Sequence, residues 1–125
     1  MFAGRLILES LRLGTDIHTP GLQIDRIFRV PVAGATPTQP DEWSMIDFRG
    51  PDEAADTFAQ QLSVALDPAN HWYADFRIGA DHVVIFPGRI LRYRTGDHVG
   101  HERAVAYGRS LGIPEAQLDW GEVDD

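Results

Sequence analysis

The chain reads as an α+β domain: an antiparallel sheet of about six strands, element order βββα-βββα, with two helices packed on one face of the sheet. Three observations predict it. Apolar residues alternate with polar ones, or run unbroken, in six short segments; they recur at helical spacing in two longer ones; and glycine, proline or aspartate punctuates the joins.

Residues 5–13, RLILESLRL, are rich in Leu and Ile, carry no helix start signal and end at Gly14, so they read as the first strand. In 22–30, LQIDRIFRV, the residues Leu22, Ile24, Phe28 and Val30 lie at even spacing and make the second. Three prolines between 31 and 42 mark a surface loop. The third strand, WSMIDF, places Ser44, Ile46 and Phe48 on one side and Trp43, Met45 and Asp47 on the other.

The period then lengthens. Pro51 suits a first helical position, Asp52 and Glu53 complement the positive end of the helix dipole, and Ala55, Phe58, Ala59, Leu62, Ala65 and Leu66 form one stripe until Asp67-Pro68 stops it. From Trp72 the two-residue alternation returns, with Trp72, Ala74, Phe76 and Ile78 opposite Tyr73, Asp75 and Arg77. VVIF is apolar throughout, as in a strand covered on both faces, and Pro87-Gly88 turns it into RILRYR. Asp97 is placed to cap a second helix carrying Ala104, Tyr107, Gly108 and Leu111, which Gly112 and Pro114 end. The core should gather Phe58, Leu62, Trp72, Phe76, Val84 and Phe86.

A length of 125 residues suits a single domain, 1–125, able to bury a core without staples. The chain has no cysteine, which excludes disulfides, thiolate catalysis and cysteine-held metals. Eleven arginines and no lysine stand against nineteen acids, a net charge of −8 that repels phosphate backbones and argues against nucleic acid as a partner. The segment from about 115 to 125 is an acidic tail. No apolar run is long enough for a membrane span or a secretion signal, so a soluble, cytoplasmic protein is expected.

Two clusters hold the candidate chemistry. In TGDHVGHE, the residues Asp97, His98, His101 and Glu102 are spaced three and four apart, so pairs of them share a helical face. Two imidazoles and a carboxylate suit three positions on zinc, although the order departs from the zinc-protease helix; the competing reading is a capped helix start. The second cluster is the polar side of the last three strands. If Tyr73, Asp75 and Arg77 face the same way as Arg92 and Arg94, they make an arginine-lined patch for a small anion or an acidic protein partner. Ordinary cross-strand ion pairing competes with that reading. No phosphate-binding glycine loop or dinucleotide fingerprint is present.

The stretches WYADF, VVIFPGRILRYRTGD and YGRSLGIPEAQLDW resemble segments of small uncharacterised proteins of Streptomyces and related actinobacteria. The likeness is good over about 72–120 and loose before it. It implies a bacterial cytoplasmic setting and assigns no catalytic residue. The expected function is a non-catalytic binding or protein-interaction module of immunity or accessory type, without a cofactor. A small zinc-assisted hydrolase built on Asp97, His98, His101 and Glu102 is the alternative.

Overall fold

The computed structural model describes residues 1–32 and 36–118. Six strands, β1 (Phe2–Ile7), β2 (Gln23–Pro31), β3 (Glu42–Gly50), β4 (Ala74–Ile78), β5 (Asp81–Phe86) and β6 (Arg89–Arg94), form one sheet in the order β2-β3-β1-β4-β5-β6. Every neighbouring pair is antiparallel. Helix α1 (Ala55–Ala65) follows β3 and α2 (His98–Ser110) follows β6, so the α+β class and the order βββα-βββα hold. The two halves differ in topology: β4, β5 and β6 form a meander, whereas β1 pairs with β3 and leaves β2 at the edge.

The first strand lies earlier than 5–13. Strand β1 sits mid-sheet, paired on both sides from Phe2 onward. After Ile7 a 3-10 turn begins, and the buried Ser10 hydroxyl donates to the Ile7 carbonyl at 2.5 Å, so the chain leaves the ladder there. Leu11 bridges Leu66 and Leu13 is fully exposed. In β2 a bulge between Ile24 and Arg26 flips the alternation. Ile24 and Ile27 therefore share a side, and Phe28 and Val30 take the other. Helix α1 starts a turn after Pro51, through a 3-10 turn at Asp52–Ala54, and its buried residues Ala55, Phe58, Ala59, Leu62 and Ala65 follow the expected stripe.

The register corrects the expectation that both helices cover one face. Directly paired residues point the same way, so Phe2, Phe48, Phe76, Val83 and Ile85 share one face, and Phe58 of α1 stacks there with ring centroids 5.5 Å from Phe2 and 5.1 Å from Phe48. Val84, Phe86 and Tyr93 point the opposite way and pack with Ala104 and Val105 of α2, where Tyr107 meets Phe86 at 4.9 Å. The expected single core accordingly divides. Trp72, Phe76, Phe58 and Leu62 belong to one cluster, Val84 and Phe86 to the other. The physical reason lies in β5, apolar at four successive positions: alternate side chains need cover on both faces, and one helix cannot supply it.

Helix α2 starts and stops as its sequence dictates. Asp97 accepts from the Gly100 N–H at 3.1 Å, and Gly112 at φ +81° closes the helix while the Ile113 and Gly112 amides return to the Gly108 and Arg109 carbonyls. No helix among the described residues is long and apolar enough to cross a membrane. The acidic tail read at 115–125 lies outside the described residues from 119 onward.

Candidate functional site

At the end of the sheet where β1 stops and β4 begins, a cavity of about 370 Å³ opens. Its lining includes Ile7, Val32, Trp43, Met45, Trp72 and Tyr73, with Arg5, Asp75, His71 and Gln117 as the polar members. Trp43 and Trp72 meet edge to face at 5.5 Å, and the Trp43 indole N–H donates to the Pro40 carbonyl at 2.9 Å. The Trp72 indole N–H is buried with no acceptor among the described residues.

Long-range polar contacts hold the walls in place. The buried Gln39 donates to the Asn70 carbonyl at 2.6 Å and accepts from the Gln117 amide at 2.9 Å, tying the segment before β3 to the turn after α2. The Tyr73 hydroxyl donates to the Gln117 carbonyl. His71 is the one non-glycine residue with positive φ among those described, at 62°. Its Nδ1 lies 3.0 Å from the Leu111 carbonyl; because a carbonyl only accepts, Nδ1 carries the proton. Such an αL conformation is uncommon outside glycine and is maintained by surrounding contacts.

Arg5 and Asp75 stand directly opposite each other on β1 and β4, and both also line a shallower hollow over Gly4 and Arg77. The Arg5 Nε and Nη2 donate to the two Asp47 oxygens at 2.6 and 3.1 Å. That bonding raises the arginine pKa and holds the Asp47 carboxyl below its ordinary value. Asp75 Oδ2 accepts from Nε2 of the buried His82 at 2.6 Å, and His82 Nδ1 is 3.1 Å from the Tyr93 hydroxyl. A carboxylate, a buried imidazole and a phenol thus form one chain, with the carboxylate at its accessible end. Arg5 Nη1 and Asp75 Oδ1 have no hydrogen bond within the described residues.

Tyr73, Asp75 and Arg77 come together on the α2 side of the sheet. Arg92 and Arg94 do not join them: they pair with Val83 and Asp81, whose side chains face α1, and Arg92 instead donates to Asp81 at 2.7 Å. The meander reverses which side its residues face in step with the ladder, so Arg77 lies across from His82 and then Tyr93. Beside Asp75 the structure places Arg5 of β1 instead, bonded in turn to Asp47 of β3. Neither shows in local sequence, because their partnership spans 42 residues; the one available signal is a charge set inside an apolar strand pattern.

In the other cluster Asp97 spends its carboxylate on the cap. His101 packs its ring on Tyr93 at 5.9 Å, with Nδ1 3.9 Å from Glu102. His98 is exposed. No three His, Asp or Glu side chains among the described residues come together as a metal-holding group. Residues 108–112, GRSLG, spell the Gly-x-Ser-x-Gly letters of a hydrolase nucleophile elbow. That elbow needs a strand-to-helix turn, whereas here Ser110 ends α2 and its hydroxyl donates to the Tyr107 carbonyl at 2.6 Å.

No protein-family model matches the chain, and no curated protein or solved structure does so significantly. The resemblance to actinobacterial proteins therefore rests on its three sequence stretches alone.

Proposed function

We propose that the protein is a non-catalytic binding module that holds a small molecule in the cavity between Trp43, Trp72 and Tyr73. One observation carries this reading: the cavity falls within the roughly 300–1,000 Å³ of small-molecule sites and combines aromatic walls with a few convergent polar groups. Its chemistry favours holding over turnover. Among the described residues no serine, threonine or lysine lines it, the Tyr73 hydroxyl is engaged with Gln117, and the Asp75 carboxylate is anchored to His82.

The test is a nuclear magnetic resonance screen of small aromatic and aliphatic acids, amines and amides against the purified protein, read at the Trp43 and Trp72 indole N–H signals. At least one compound should shift both and be recovered unchanged after prolonged incubation. A bound compound that is converted would overturn the non-catalytic assignment. Binders that leave both indoles unmoved would place the site elsewhere.

A further inference from the structure

Resting on the reading of the cavity as a ligand site, we infer that its ligand is a methylated organic cation, a tertiary or quaternary ammonium, drawn in by Asp75 and seated against Trp43, Trp72 and Tyr73. The charges around the cavity set the sign. Apart from His71, its described lining holds two ionisable side chains with a formal charge, Arg5 and Asp75. The Arg5 guanidinium is committed on the β3–β2 side: it donates to both Asp47 oxygens and its carbon lies 4.9 Å from the Phe28 ring centroid, and neither Asp47 nor Phe28 belongs to the wall. Asp47 therefore matches that positive charge outside the cavity. Asp75 accepts one hydrogen bond, from His82, and a donated N–H leaves a carboxylate its charge. Its side chain stays 33% exposed, so a ligand in the cavity meets an anion that is still open to solvent. The net charge of −8 acts in the same direction at longer range, gathering cations and repelling anions.

The wall selects the kind of cation. Trp43, Trp72 and Tyr73 supply aromatic surface, whose electron-rich faces attract positive charge, while Ile7 and Met45 supply apolar surface suited to methyl groups. The Trp43 and Trp72 rings are inclined at 64° with centroids 5.5 Å apart, so they bound a corner rather than a parallel slot. A corner receives a rounded group better than a flat ring. Acceptors for N–H groups are few. The Gln117 backbone carbonyl already accepts from Tyr73 and its side-chain oxygen from Gln39, which leaves Asp75 as the chief acceptor. A primary ammonium brings three N–H donors that lose water on entry and find too few replacements. Methyl groups in their place lose nothing and gain the apolar wall.

Four probes separate the parts of the inference: choline; 3,3-dimethylbutan-1-ol, the same shape with carbon in place of the charged nitrogen; ethanolamine, the same charge without methyl groups; and 3,3-dimethylbutyrate, the same body with a negative charge. Titrations read at the Trp43 and Trp72 indole signals should show choline binding at least about tenfold more tightly than any of the others. In Asp75→Asn the amide oxygen can still accept from His82 but the charge is gone. Choline's advantage over its uncharged analogue should then shrink several-fold, with the analogue's own affinity unchanged. Equal binding of choline and either dimethylbutanol or ethanolamine to the wild-type protein overturns the methylated-cation inference and leaves the cavity reading intact. An undiminished advantage in Asp75→Asn does the same. So does silence from all four probes up to about 10 mM while another compound of the broader screen binds there. Silence from both sets sinks the two together.

Discussion

Phe76→Ala tests the division of the core. Phe76 is 2% exposed, and its ring lies 5.0 Å from that of Phe2, 6.2 Å from Phe58 and 6.5 Å from Phe48. Removing the ring forfeits about 1.5–3 kcal/mol of transfer free energy. A void of roughly 100 Å³, if nothing moved in, would add about 2.4 kcal/mol. Neighbouring rings can partly collapse into the space, so the expected loss is about 3–5 kcal/mol. With a urea m-value near 2 kcal/mol/M, that is a fall of about 2 M in the unfolding midpoint. Ile27→Ala is the control. Ile27 is also in a strand but 73% exposed on the edge of the sheet, and its loss should stay within about 0.5 kcal/mol. Equal midpoints for the two variants, at an unchanged m-value, would refute the assignment of faces.

Gly112→Val should cost at least about 1 kcal/mol in a thermal melt, because a β-branched residue would be forced to φ +81° and its Cβ would come within 3.0 Å of the His71 ring. Asp97→Ala should lose about 0.5–2 kcal/mol and Asp97→Asn almost nothing, with zinc or a chelator making no difference; a zinc-dependent loss in both would restore the metal reading of Asp97, His98, His101 and Glu102. Asp47 titrates below its ordinary range because Arg5 hydrogen-bonds its charged form, so its contribution is present above the unfolded carboxylate pKa and disappears as pH falls through the lower folded value. Acid titration of stability should therefore be shallower in Asp47→Asn than in wild type below about pH 4, by no more than about 1 kcal/mol in total because Arg5 is half exposed.

Local chemistry determined much of this protein from its sequence alone. Strands β3, β4, β5 and β6, the buried stripe of α1, the Asp97 cap and the Gly112 stop depend on side-chain period, caps and turn residues within a few positions of one another, and each is where the sequence places it. The acceptor role of Asp97 was legible for the same reason, since the amide it accepts from belongs to Gly100, three residues on. Other features were set only by pairing across the chain. The bulge at Asp25 exchanged the faces of β2, and the extent of β1 followed from its two neighbours rather than from its own leucines. The register of the meander sent Arg92 and Arg94 to the α1 face and brought His82 beneath Asp75. The cavity needed more still: residues near 5, 43, 72 and 117 meet there because the sheet interleaves β3, β1 and β4. A period of two says which residues share a side of one strand, but which side that is, and what stands opposite, is decided only when the strands dock.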